Sequence, residues 1–399
     1  MKAGDDLKKL FFRLSAVVIG MLVFVGTAHG SVMADAAVST SAQNGAILIC
    51  ADTGEVLYEQ DADHIAPMAS TTKIMTALLA LESGDLDSWF SVDSEAIKVE
   101  GSTMGLQEGD QVTMRTLVYG MLLPSGNDAA NAAAVKIAGS IPAFVEQMNQ
   151  RAQQIGMTNT VFATPSGLDK GVDHHSTARD MALLTQEALK NPDFVSICSQ
   201  SSAKVEFGNP PYPRWLKNHN RLLKEYDGCY GVKTGFTKEA GRCLVSAAQR
   251  DGRKLIAVVL NDPKDWADSK ALFDYGFSVT QNYQPKTDVS QLKLNVVGST
   301  ESEIGVTAPS LPDFAVTADG QNEIEEVVQT DPFYYAPVRE GDLVGQICYR
   351  RNGQTIAEAP LYADRTAEPA EKASDHRFWS RLSRKQFDSS LRVLSLWIK

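Results

Sequence analysis

Cysteine is scarce and scattered. The 399 residues hold five, Cys50, Cys198, Cys229, Cys243 and Cys348, with no Cys-x-x-Cys pair. An odd number spread over a long chain argues against a disulfide framework. They read as small buried hydrophobes, with Cys229 and Cys243 the one pair that could bridge in an oxidising compartment. Positive charge is short as well. Lys and Arg total 38 against 49 Asp and Glu, a net charge of −11, which argues against a nucleic-acid partner. No His-Glu-x-x-His occurs; His174-His175 beside Asp173 has no ligand spacing and reads as a surface loop. His219, before Asn220-Arg221, reads as a loop-shaping residue. No Gly-x-Ser-x-Gly elbow occurs, which disfavours an α/β-hydrolase. The apolar run from Ala16 to Gly26 is too short to span a bilayer comfortably.

That run does fit an export signal. Lys2, Lys8, Lys9 and Arg13 precede it, diluted by Asp5 and Asp6, and the small residues Ala28, Gly30 and Ala34 follow. Residues 1–34 are therefore expected to be a signal peptide, and the protein to work at the outer face of the cytoplasmic membrane or in the cell-wall space. At the other end, residues 376–399 carry six Lys/Arg and one Asp. On a helix the basic residues share one arc, while Phe378, Trp379, Leu382, Leu391, Leu394 and Trp397 fill the other side. Such a helix, taken as 375–399, fits an anionic membrane interface.

Between these ends the chain is ordinarily globular, with 43% hydrophobic and 22% charged residues. Residues 45–59 read as a hairpin around Asp52-Thr53-Gly54. Helices are expected at 70–83, 114–123, 128–138, 142–155 and 177–190, with short β-like pieces over 84–112. Strands follow at 229–234, 242–249 and 254–260, then a helix at 265–276. Two strands, a helical block, three strands and a helix suggest an α+β domain, an antiparallel sheet with a helical subdomain packed on it. Its span is taken as 40–280. A polar stretch leads to short β-runs with turn signals, a small all-β domain at 288–366.

The predicted helix at 70–83 opens with Ala69-Ser70-Thr71-Thr72-Lys73, just after Pro67. A spacing of three sets the Ser70 hydroxyl and the Lys73 amine on one face. Free N–H groups and the dipole at a helix start favour developing negative charge. Two other Ser-x-x-Lys matches, Ser201 to Lys204 and Ser290 to Lys293, run into strand-like sequence and open no long apolar helix. Two more fragments strengthen Ser70. Ser125-Gly126-Asn127 falls in a helix–helix turn, where a hydroxyl and an amide can project together. Lys233-Thr234-Gly235 ends a strand, where a glycine lets a ligand backbone approach closely.

In that order, Ser-x-x-Lys, Ser-x-Asn and Lys-Thr-Gly match the signature of penicillin-interacting serine enzymes. The wording around them, Leu122 to Ala129, Ser176 to Leu183, Gly231 to Thr237 and Leu255 to Leu260, resembles the low-molecular-mass penicillin-binding proteins. These are the serine-type D-alanyl-D-alanine carboxypeptidases of peptidase family S11. The resemblance implies a penicillin-binding/β-lactamase-like catalytic domain. It implies Ser70, Lys73, Ser125 and Asn127 as catalytic residues, and Lys233, Thr234, Gly235 and Phe236 as substrate-binding residues, the N–H groups of Ser70 and Phe236 forming an oxyanion hole. It implies peptidoglycan stem peptides as substrates, β-lactams as covalent inhibitors, and no cofactor or metal. One departure stands out. Many relatives carry an Arg after the strand ending at Leu260, aimed at the substrate's terminal carboxylate, whereas Asn261 to Trp266 has none. Carboxylate recognition is then expected from Lys233 and Thr234, or from Lys264. A D,D-endopeptidase shares the chemistry. A β-lactamase does too, but no Glu-x-x-Leu-Asn pattern is present. A wall-binding protein with a dead site would lack residues that are all here.

Overall fold

The computed structural model describes residues 38–309 and 314–370. The expected signal segment and the expected amphipathic tail lie outside them. Among the described residues no helix is long and apolar enough to cross a membrane.

The first unit begins with β1 (Ala46–Cys50) and β2 (Val56–Gln60). A one-turn 3-10 helix, Ala69–Thr72, runs into α1 (Lys73–Glu82). Two short strands, β3 (Phe90–Ser91) and β4 (Gln111–Val112), precede α2 (Met114–Leu122), α3 (Asn127–Ala138), α4 (Ile141–Ile155), α5 (Ala178–Ala188) and α6 (Pro192–Cys198). A hairpin of β5 (Ser202–Gly208) and β6 (Pro211–Lys217) and the single turn α7 (Leu222–Glu225) lead to β7 (Cys229–Thr237), β8 (Gly241–Arg250) and β9 (Arg253–Val259). Helix α8 (Asp265–Val279) closes the unit.

The main sheet has the order β2-β1-β9-β8-β7, antiparallel throughout. All five residues of β1 are buried. Alternation explains this, because successive side chains of a strand face opposite sides. Ile47 and Ile49 join the core shared with α1 and α5 through Ile74, Leu78, Met181 and Leu184. Ala46, Leu48 and Cys50 join the core on the other face, with Leu272 and Phe273 of α8. Helix α1 is buried almost all round, which is why it has no polar stripe. Alanines 129, 130, 132, 133 and 134 of α3 are all buried, and side chains this small let neighbouring helices approach closely.

The second unit is all β. Its six-stranded sheet has the order β14-β16-β17-β12-β11-β15, from β11 (Lys293–Val297), β12 (Glu303–Thr307), β14 (Glu325–Gln329), β15 (Tyr334–Tyr335), β16 (Leu343–Arg351) and β17 (Gln354–Ala363). Its own core holds Leu294, Ile304, Ile347, Tyr349 and Leu361. A short pairing of β10 (Gln281–Asn282) with β13 (Ala315–Val316) joins it to the chain leaving α8. The buried Glu55, in the β1–β2 turn, accepts from the Thr317 amide at 3.1 Å and from the Thr317 hydroxyl, with Arg351 at 3.7 Å. A carboxylate this shielded needs such partners.

The cysteine reading holds, and the reading of His174 is corrected. All five cysteines are free. Cys229 pairs with Ala248, whereas Cys243 lies opposite Gly235; five positions along a strand is roughly 17 Å, too far for a disulfide. His174 is buried, at 3% exposure, and is no surface-loop residue.

Buried Asp128, in the first turn of α3, accepts from the amides of Met104 (2.9 Å), Gly105 (3.0 Å) and Leu106 (3.0 Å). Asp128→Ala would orphan three amides, and about 3 kcal/mol of stability should be lost in urea unfolding. A loss under about 1 kcal/mol would show that the 104–106 segment holds itself.

Candidate active site

Three pieces of chain meet beside the outer edge of β7. The first is the 3-10 turn carrying Ser70. Ala69 has φ +49, a left-handed conformation that L-residues avoid, so the chain kinks just ahead of the serine. Ser70 stays half-buried while Lys73 is fully buried beneath it. The Lys73 amine is 2.9 Å from Ser70 Oγ and also donates to Asn127 Oδ1 at 2.7 Å and to the Ser166 carbonyl at 2.6 Å.

The second piece is the α2–α3 turn. Ser125 has φ +63, and Gly126 is enclosed, since a Cβ there would meet Asp128 Oδ1 at 2.7 Å and the Gly120 carbonyl at 3.1 Å. Asn127 donates its Nδ2 to the Glu100 carbonyl at 2.7 Å, which fixes its oxygen toward Lys73.

The third is β7. Lys233 is buried and donates to Ser125 Oγ at 2.9 Å and to the Thr234 carbonyl at 2.7 Å. Gly235 lies against the Ser70 turn: a Cβ there would be 3.0 Å from the Met68 carbonyl and 3.2 Å from the Ser70 nitrogen. Phe236, 67% exposed, stands at the rim. All eight residues singled out by motif thus belong to one neighbourhood. A cavity of ~950 Å³ elsewhere, lined by Ala51, Gln186, Tyr230, Gln249 and Ile356 among others, contains none of them.

The electrostatics follow from burial. Lys73 loses its proton far more readily than an ordinary lysine, first because it is desolvated, then because Lys233 repels its charge, with Asp128 opposing in part. Burial alone lowers Lys233 to about 7. Both amines therefore hold their protons less firmly than an ordinary lysine, and Lys233 is only partly charged near neutrality.

Several contributors have no motif to announce them. The 163–168 segment packs onto the Ser70 turn: the Ser166 carbonyl receives Lys73, the Pro165 carbonyl receives Thr76 Oγ1 at 2.6 Å, and Gly167 touches Ala69. Asp169 accepts from Thr237 Oγ1 at 2.6 Å, tying that segment to the end of β7. Arg242, opposite Phe236 on β8, is held by Asp265 through Nε and Nη2 at 2.8–3.1 Å. In the segment that lacks the usual Arg, Lys264 is exposed and Asp262 is buried, accepting from the Lys264 amide at 2.8 Å. Of these, Lys264 was named from the sequence and Gly167 was open to it as a glycine in a turn; the rest are tertiary contacts.

A lysine whose folded pKa lies below its unfolded value costs stability. The cost is full below about 7 and disappears as pH rises to 10.5, where both states are neutral. Lys233→Met should therefore unfold at higher urea than the parent at pH 6, and the difference should shrink steadily toward pH 10. A difference that stays flat over that range would show that Lys233 is not held neutral by burial.

Comparison with known proteins agrees with this geometry. The family model for D-alanyl-D-alanine carboxypeptidases (peptidase S11) matches residues 31–264, and that for the penicillin-binding protein 5 C-terminal domain matches 277–369. The D-alanyl-D-alanine carboxypeptidase DacF of Bacillus subtilis is 33% identical over 331 residues, 80% of this chain and 84% of that protein. A D-alanyl-D-alanine endopeptidase of Escherichia coli is 30% identical over 258 residues, 63% of this chain and 83% of the other. Penicillin-binding protein 5 from Haemophilus influenzae superposes with a TM-score of 0.59 at 28% identity, covering 83% of this chain and 98% of that one. With three converging motifs, two buried amines and a family model that spans more than half its length, this chain belongs to the S11 family of serine-type D-alanyl-D-alanine carboxypeptidases.

Proposed function

We propose that the protein is a serine D,D-carboxypeptidase that removes the terminal D-alanine from peptidoglycan stem pentapeptides through an acyl-enzyme on Ser70. The observation that carries this reading is the fully buried Lys73 amine, 2.9 Å from the Ser70 hydroxyl and made far less basic than an ordinary lysine by desolvation.

Ser70 Oγ attacks the carbonyl carbon of the penultimate D-Ala, and Lys73 takes the hydroxyl proton. Negative charge moves to the former carbonyl oxygen, where the Ser70 and Phe236 amides receive it; one such donor is typically worth about 3 kcal/mol. The C–N bond breaks, and the proton passes through Ser125 to the departing D-Ala amine. Asn127 orients Lys73 and the substrate amide. Lys233, Thr234 and Gly235 bind the substrate end, with the ammonium of Lys233 facing the terminal carboxylate. Water, deprotonated by the same base, then attacks the ester and frees the shortened peptide. β-Lactams acylate the same serine. No metal or cofactor is needed for any step. The signal-like start and the basic amphipathic tail support export and attachment to the outer face of the cytoplasmic membrane.

A D,D-endopeptidase acting on cross-links is the second reading, kept open by the missing Arg in 261–266. Mass spectrometry of the penicillin-treated protein should find one adduct, on Ser70, absent from Ser70→Ala. D-Ala should be released from a stem pentapeptide and not from a cross-linked dimer; cleavage of the dimer alone would favour the endopeptidase, and no adduct at all would sink both.

Lys233 also sets a pH dependence. Free enzyme loses that charge above about 7, so kcat/KM for a carboxylate-terminated peptide should fall there. Bound carboxylate raises the amine's proton affinity, so kcat should hold to higher pH. A kcat/KM still climbing at pH 9 would remove Lys233 as the carboxylate's cation.

A further inference from the structure

His174 takes no part in the mechanism above, yet it is buried eleven residues beyond Ala163, next to the nucleophile turn. Its Nδ1 accepts from the Ala163 amide at 2.9 Å. A neutral ring that accepts at Nδ1 carries its proton on Nε2. Nε2 stands 2.8 Å from Thr72 Oγ1, so the ring donates to that hydroxyl. The Thr72 hydroxyl in turn donates to the Ala69 carbonyl at 2.8 Å. Burial holds the ring's pKa down to about 4, so one tautomer persists across the working range. Phe162 packs edge-on at 6.0 Å and keeps the ring in place.

The chain of bonds ends on a peptide unit that matters. In a planar trans peptide the carbonyl of one residue and the N–H of the next point in opposite directions. The Ala69 carbonyl and the Ser70 N–H belong to the same unit. Fixing the first fixes the second. Ala69 is left-handed at φ +49, a conformation that relaxes unless something holds it. Gly167 closes the other side, because a Cβ there would sit 1.9 Å from the Ala69 oxygen.

We infer that His174 is a positioning residue: through Thr72 it pins the Ala69–Ser70 peptide so that the Ser70 N–H points into the pocket as an oxyanion donor. The inference rests on the assignment of Ser70 as nucleophile. It predicts a loss in the acylation step and not in binding, since the donor meets charge only as it develops.

Stopped-flow acylation by a fluorescent penicillin separates the dissociation constant of the first complex from the acylation rate. His174→Ala should slow acylation about tenfold to a hundredfold and leave the dissociation constant within about twofold. Thr72→Val, which removes only the hydroxyl, should do the same, while Thr72→Ser should retain most of the rate. The double variant His174→Ala/Thr72→Val should be no slower than the slower single one, because both break one chain. His174→Gln, with an amide N–H to offer Thr72, should recover part of the loss. Acylation at the parent rate in either His174→Ala or Thr72→Val overturns the inference, as do multiplying losses in the double variant or a loss confined to the dissociation constant. If His174→Ala fails to fold, the Thr72→Val and Thr72→Ser pair decides alone. A parent protein that forms no adduct on Ser70 would instead remove the reading on which the inference rests.

Discussion

Removing a lysine amine from water weakens its hold on a proton, and a second amine nearby weakens it further. Lys73 and Lys233 are both buried here, and Lys73 feels the charge of Lys233 on top of its own enclosure. Water must be kept from both while the Ser70 hydroxyl stays reachable. The layers of the first unit serve that need. Helix α1 runs through the interior with Lys73 at its start, α3 supplies Asn127, and β7 brings Lys233 along the sheet edge. The free energy spent in burying charge-prone amines is recovered from the apolar packing on both faces of the sheet.

Much of this was legible in the residues. The alternation in β1, the periodic apolar residues of α1 and the caps Thr113, Ser140 and Thr177 are local signals, and local signals mark elements well. The three motifs are legible because each is set within a few positions, and the structure brings them to one neighbourhood. The hairpin β5–β6 was seen only as a strand-like fragment at 205–207, since prolines 210, 211 and 213 break the pattern of its second half. Strands β14 and β17 went unread for a different reason. Their burial alternates weakly, because much of that sheet faces solvent.

His174 was misread for a physical reason. A pair of histidines beside an aspartate, in a polar stretch, carries the composition of an exposed loop. What buries it is the folding of the 161–176 segment, closed on itself by the Val161–His175 bridge and tied by the Ala66–Ser176 bridge to the chain ahead of the Ser70 turn. That folding depends on Lys73 and Thr76 offering donors to the carbonyls of Ser166 and Pro165, contacts separated by about ninety positions. Nothing nearby in the chain encodes them. Arg242 was missed likewise: only the register of β8 against β7 sets it across from Phe236.

The Ser70 turn is enclosed by backbone on two sides, Gly167 against the Ala69 oxygen and Gly235 against the Ser70 nitrogen. Bare backbone offers evolution nothing to trim and no space to fill. Substitution at either glycine would drive a side chain into the main chain, so variation around Ser70 is left to side chains at the rim, such as the exposed Phe236.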